Sequence, residues 1–179
     1  MIDLIAAVRR RAVDPATRTD QSAVSPTRIA PVATGLEIAL VEARLGLRIP
    51  QVLRSVYTSI GNGGFGPGYG LMGLPGGFTD DQGNSAVQLY ELFRQPSAGD
   101  PTWQWRAGVL PICHWGCAIY SCIDCSTDEG RVLIWDPNVW DRQTPVETML
   151  RLGHPSVAEW LGAGAAGRNI WNQMFPDAG

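Results

Sequence analysis

Half of the residues in Gly61-Asn62-Gly63-Gly64-Phe65-Gly66-Pro67-Gly68-Tyr69-Gly70-Leu71-Met72-Gly73-Leu74 are glycine, and what flanks this run decides how it reads. Gly61, Gly63 and Gly66 satisfy G-x-G-x-x-G, which cradles a pyrophosphate when it follows a strand and opens a helix. Here the order is reversed. Upstream, Ile49-Pro50 opens a segment with Leu53, Val56, Tyr57 and Ile60 at helical spacing, and downstream the pattern alternates as in a short strand. A helix that stops at Gly61-Asn62, in the left-handed C-cap conformation, and turns through glycines into a strand needs no ligand to explain it.

Working outward, Thr34 and Glu37 form a capping box ahead of Leu36, Leu40, Ala43 and Leu47, which predicts a helix packed beside the Pro50 helix. Asp3 caps a first helix with Ile5, Val8 and Ala12 on one face, ending near Asp14-Pro15. From Thr17 to Pro31 the chain is rich in Thr, Ser, Ala and Pro without periodicity, an irregular tether. Asp80 or Asp81 with Asn84 starts a further helix that ends near Gln95-Pro96. Val109 to His114, Cys117 to Asp124 and Arg131 to Trp135 then read as an antiparallel meander, separated by Trp115-Gly116 and by Ser126 to Gly130. Ser156 and Glu159 make a second capping box, and the glycines at 162, 164 and 167 require the helix there to end early or lean on tertiary contacts.

The chain has 179 residues, 45% of them hydrophobic and 17% charged, which suits one loop-rich domain that folds without disulfides or metal. All fourteen basic residues are arginine, so a Walker lysine, a Schiff-base lysine and a lysine general base are excluded. The net charge of -3 divides unevenly: residues 1–54 carry eight Arg against five acids, and residues 55–179 carry six Arg against twelve. That acidic body lacks the basic footprint of a nucleic-acid binder. It either attracts a basic protein partner or forms an ordinary solvated surface. No run of apolar residues is long enough to span a membrane, and Arg9-Arg10-Arg11 follows the short N-terminal apolar run instead of preceding it, the reverse of a secretory signal. The expected location is cytoplasmic.

Cys113, Cys117, Cys122 and Cys125 raise the question of a metal. Only the last two have C-x2-C spacing, and residues 117 and 122 on one strand face opposite ways, which spoils tetrahedral convergence. Cysteine otherwise packs as a small hydrophobe. His114 adjoins Cys113, but strand neighbours point to opposite faces, so they make a poor nucleophile and base. His154, before Pro155, suits a cap or surface position. The adjacent acids Asp80-Asp81 and Asp128-Glu129 lie in turn-like segments and read as solvated. Of the seven tryptophans, Trp115, Trp135 and Trp160 suit a core, whereas Trp103, Trp105 and Trp140 lie in loop-like segments, where an indole either folds over the core edge or anchors an interface.

Three blocks resemble the SMI1/KNR4 family of the SUKH superfamily. Ile49-Pro50, Leu53, Tyr57 and Gly61-Asn62-Gly63-Gly64-Phe65-Gly66-Pro67-Gly68-Tyr69-Gly70-Leu71 are similar to its helix, Asn-Gly-Gly turn and first strand. Leu110 to Cys125, with Gly130 and Val132-Leu133-Ile134-Trp135-Asp136, is similar to its central strand pair, and Ser156 to Leu161 to its closing helix. The match spans roughly residues 36 to 162 and divides the chain into an N-terminal helix and tether, 1–33, and a family-like domain, 34–179.

The resemblance implies an α+β fold, a curved, mainly antiparallel sheet packed by helices, with no metal or cofactor. It implies a non-enzymatic bacterial immunity protein that binds and neutralises a cognate secreted protein toxin, in many cases a nuclease. The family's fungal members imply a second reading, a regulatory scaffold. A zinc or thiol enzyme built on the cysteines is the third. For a partner-binding protein, the candidate contacts are the acids and aromatics of turns beside the sheet: Tyr69, Asp80, Asp81, Trp103, Trp105, Asp128, Glu129, Asp136, Asn138 and Trp140. The cysteine spacing makes one prediction: elemental analysis of protein purified without chelator should find well below one zinc per chain, and tightly held stoichiometric zinc would refute this reading.

Overall fold

A computed structural model of the protein describes residues 2–14, 29–97, 103–139, 143 and 145–175. Six helices, α1 (Ile2–Val13), α2 (Gly35–Leu45), α3 (Gln51–Ser59), α4 (Ala86–Phe93), α5 (Val157–Ala165) and α6 (Ile170–Met174), surround one sheet of β1 (Val109–His114), β2 (Tyr120–Asp124), β3 (Arg131–Trp135) and β4 (Leu150–His154). The strands are antiparallel in the order β1-β2-β3-β4, an α+β architecture. β1 and β2 are buried along their whole length, which explains their near-continuous apolar sequence.

The register sorts the side chains of the sheet. Tyr120 lies opposite Trp135 and Cys122 opposite Leu133, while Ser121 faces Ile134 and Ile123 faces Val132, so the two sets occupy opposite faces. One face packs α4 and residues 103–105, with Phe93 against Tyr120 and Trp105 against Trp135. On the other, Ser121 Oγ accepts a bond from Trp115 Nε1 and meets Met174 Sδ of α6. The β1–β2 register skips at Ile112, next to Pro111. A proline has no N–H for the ladder and is tolerated at such a bulge.

Several elements differ from the sequence reading. In α2 the capping box holds, with Glu37 Oε2 accepting from Thr34 N at 2.7 Å, but Leu36, Leu40 and Ala43 face solvent. Ile38 and Val41 are buried instead; apolar residues occur on both sides of this helix, so periodicity alone does not choose between the stripes. α4 is capped by Ser85 in a box with Gln88, not by the aspartates or Asn84. β4 and α6 had no sequence signal. In α5, Ser156 Oγ accepts from Glu159 N, and the helix does lean on tertiary contact: a Cβ on Gly164 would lie 2.9 Å from Pro67 Cγ. The first helix, α1, packs against α5, and Arg9 Nη2 donates to Ser59 O at 2.6 Å.

The glycine run is a strap with little regular structure. α3 ends at Ile60 in the right-handed region, and Gly63 and Gly64, not Gly61 or Asn62, carry the positive φ values of 86° and 89°. The expected strand reduces to one bridge, Leu71 with Cys113, flanked by Tyr69 N donating to His114 O at 3.0 Å and Met72 N to Ile112 O at 2.7 Å. Buried Asn62 holds the strap: its Oδ1 accepts from Leu74 N at 2.8 Å, its Nδ2 donates to Leu74 O at 3.3 Å, and its own carbonyl accepts from Phe78 N at 2.9 Å. Gly77 is obligatory there, because a Cβ would lie 2.3 Å from Asn62 O.

The second strand starts at Tyr120 and not Cys117, because Gly116 to Ile119 form the hairpin turn, closed by Trp115 N donating to Ile119 O and Ile119 N to Gly116 O, both at 2.9 Å. Cys117 and Ala118 occupy its central positions with φ of 49° and 59°. Two positive φ values define the turn that Asn-Gly serves best, and non-glycine residues there are strained.

Two predictions follow from these contacts. Asn62→Ala leaves the Leu74 amide buried without a partner and should cost about 2 kcal/mol or more in urea denaturation; a loss below about 0.5 kcal/mol would show that the clamp contributes little. Replacing the turn with Cys117→Asn and Ala118→Gly together should raise the thermal midpoint, by about 1–2 kcal/mol of relieved strain. An unchanged or lower midpoint would count against that strain.

Candidate partner-binding site

At one end of the sheet β1, β2 and β3 bring His114, Tyr120 and Trp135 side by side, in register across the sheet. Rings extend this row in both directions. His114 stacks on Tyr120 with centroids 4.8 Å apart, and Tyr69 meets His114 edge-on at 5.4 Å. On the other side Tyr120 touches Phe93, which packs on Trp103 and Trp105, and both indoles meet Trp135 edge-on. Offset and edge-to-face ring pairs are favoured over face-to-face ones, so this continuous file stiffens one end of the sheet.

Across that end runs the strap, and between the two lies a groove of ≈ 420 Å³ lined by Tyr69, Met72, Phe78, Asp80, Asp81 and His114, among others. Asp80 builds the wall. Its Oδ1 accepts from the backbone N–H groups of Gln82 at 3.0 Å and Asn84 at 2.7 Å, folding residues 80–84 into a tight loop. That loop thrusts Asp81 outward, its side chain 73% exposed, with Oδ1 3.8 Å from His114 Nδ1. Tyr69 is 41% exposed. Burial, with the negative charges of Asp80 and Asp81 adding to it, pushes the Tyr120 phenol up to about 12, so it stays protonated at neutral pH.

The groove thus brings together three of the residues singled out from the sequence, Tyr69, Asp80 and Asp81. Asn138 lies at the same end of the sheet: its Nδ2 donates at 2.9 Å to Cys117 O in the β1–β2 turn and at 2.9 Å to Asp136 Oδ1. Two expectations are corrected. Trp105 is buried, its Nε1 donating to Val109 O at 2.7 Å, and Asp136 is buried, its Oδ1 also accepting from Asn138 N at 3.0 Å, so neither is a surface contact. Trp103 is half-buried and donates from Nε1 to Phe93 O at 2.7 Å, which places it over the core edge. Asp128 and Glu129 are exposed in the β2–β3 turn, at the opposite end of the sheet. Trp140 lies outside the described residues.

The sequence reading does not place His114 in the groove or Tyr120 beneath it as the ring on which His114 stacks. Their signal was present, since both flank a hairpin turn and so stand as cross-strand partners, but their facing side depended on the bulge at Ile112. A buried carboxylate paired with a cation lies elsewhere: Asp124, near the Val109 end of β1, bonds Arg106 Nη2 at 2.6 Å and Ser126 N at 3.0 Å. Its burial favours the neutral acid, but the bonds from Ser126 and the Arg106 charge prevail and hold it below the usual range.

The cysteines do not converge. Cys117 is exposed in the hairpin turn, Cys113 and Cys122 are buried in adjacent strands, and Cys125 is half-buried beyond the end of β2. Burial pushes Cys122 up, with Cys113 adding to the effect, and pushes Cys125 up to about 12, with Asp124 and Glu42 adding to it. Both are therefore held as unreactive thiols. Among the described residues no three His, Cys, Asp or Glu side chains are grouped to hold a metal ion, and no helix is long and apolar enough to cross a membrane. His154 ends β4 opposite Val132, half-buried, instead of capping α5.

Comparison with the curated proteins finds no match. A family model does match, described as SMI1 / KNR4 family (SUKH-1), over residues 33–163. It covers the capping box of α2, the Asn62 clamp, the groove, all four strands and most of α5, and leaves out α1 and α6. The chain belongs to the SMI1/KNR4 (SUKH-1) family.

Proposed function

We propose that this protein is an immunity protein that acts in the cytoplasm by binding a cognate secreted toxin stoichiometrically and blocking it, without catalysis. The observation that carries this reading is the acidic and aromatic groove at one end of the sheet, in a member of a family that includes toxin-binding immunity proteins. Its walls belong to rigid elements, with Tyr69 bonded to β1 through its backbone and Asp81 presented by the Asp80 loop. A site built in this way binds without paying for the ordering of loops. The net charge of residues 55–179, six Arg against twelve acids, suits a toxin with a basic working surface, such as a nuclease. Asn138 and the exposed Val139 extend the contact surface beyond the groove.

The test is co-expression with the toxin encoded beside this chain, followed by binding kinetics across a salt series. Wild-type protein should protect cells and bind one to one. Asp81→Arg should slow association by about tenfold at low salt and weaken its salt dependence, because an exposed charge acts chiefly on encounter. Tyr69→Ala should instead speed dissociation and cost about 2 kcal/mol, as expected of an aromatic anchor. Failure to protect, or protection by substoichiometric amounts, would reject neutralisation by binding and favour a scaffold or an enzyme respectively.

A further inference from the structure

We propose that the groove between the strap and β1 is a socket for an arginine side chain of the bound protein. This rests on the partner-binding reading above and names the chemistry of the anchor. The side chains that line the groove are rich in hydrogen-bond acceptors. Asp81 is 73% exposed, and the one basic side chain within 4 Å of its carboxylate among the described residues is that of His114, at 3.8 Å, beyond hydrogen-bonding range. Asp80 commits Oδ1 to the loop amides, while among the described residues Oδ2 has only a 3.4 Å contact from Asn84 Nδ2.

His114 supplies an independent sign that the groove lacks a partner. Its side chain is only 10% exposed and lines the groove, yet its ring makes no hydrogen bond among the described residues. Its ring nitrogens are not among the fully buried atoms that lack a partner, so they stay open to the groove, and a neutral imidazole keeps one acceptor nitrogen in either tautomer. Among the described residues, the ion pairs of Arg44, Arg54 and Arg106 lie outside the groove, with Glu91, Glu42 and Asp124.

A guanidinium fits this set better than an ammonium. It donates through a planar fork, which can serve the Asp81 carboxylate and the His114 nitrogen together, and it stacks on an aromatic face such as Tyr69. Met72 and Phe78 provide apolar wall for its methylene stem. The carboxylates exclude an anion, and among the described residues no three His, Cys, Asp or Glu side chains are grouped to hold a metal ion.

The probe is acetyl-arginine amide, compared with acetyl-citrulline amide, which has the same shape without the charge. NMR follows the His114 ring and the amides of residues 69–81. The arginine probe should give saturable shifts at these positions. Citrulline, or Asp81→Asn in the protein, should weaken binding at least about tenfold, because a charge-assisted bond is replaced by a neutral one. Tyr69→Leu should also weaken it, while Asp128→Asn at the far end of the sheet should not. Unchanged thermal midpoints will show that the variants are folded. Absence of saturable shifts, equal binding of citrulline, or indifference to Asp81→Asn would overturn the socket. None of these measurements needs a toxin. A socket that binds arginine in a protein that fails to protect cells would refute the immunity reading alone; protection that survives with no arginine binding would refute the socket alone.

Discussion

The paired hydrogen bonds between the Asn62 amide and the backbone of Leu74 are the constraint on which the rest of this site depends. A primary amide offers one donor and one acceptor side by side, so it can imitate a neighbouring strand and satisfy both backbone groups of a single residue. Placed at the end of α3, it ties that helix to the far end of the strap. Leu71, Met72 and Leu74 are then buried, and Tyr57 of α3 completes the anchorage by donating to Met72 O at 2.7 Å. Gly73 and Gly77 are required by this closeness: a Cβ on them would lie 2.4 Å and 2.3 Å from Asn62 O.

With the strap held, the sheet decides what faces it. The bulge at Ile112 adds one residue to β1, so His114 shares its face with Tyr120 and Trp135 while Cys113 turns to the other. The aromatic file that results joins the exposed Tyr69, through His114 and Tyr120, to the tryptophans packed beneath α4. The exposed residues of the groove thereby stand on a stiff foundation, with little conformational entropy left to lose on contact. The hairpin turn beside them is strained at Cys117 and Ala118 and tied down by Asn138, so this end of the sheet combines rigid packing with local strain. Strain of that kind gathers at binding and catalytic sites, where surrounding contacts hold it in place.

Charge is arranged in the same spirit. The buried carboxylate Asp124 is neutralised by Arg106 and Ser126 at one end of the sheet, while Asp81 is left exposed at the other. The first serves the fold, because a buried charge without a partner would be costly. The second stands in solvent, with only the His114 ring nearby at 3.8 Å among the described residues.

Read alone, the residues determined the local elements whose signals are local: the capping boxes of Thr34 and Ser156 in part or whole, the periodicity of α3, the meander from Val109 to Trp135, and the structural role of the glycines, in addition to the family itself. Cap and period act over three or four residues, so they survive without tertiary context. Tertiary structure alone decided which stripe of α2 is buried, which residues enter the hairpin turn and which loop aromatics reach the surface. Trp103 and Trp105 differ by only two positions, yet one covers the core edge and the other lies beneath it, because Phe93 and Trp135 come from distant segments. The groove belongs wholly to that second kind: Tyr69, Asp81 and His114 are separated by up to several dozen residues, and only the Asn62 clamp and the shifted register of β1 bring them to one wall.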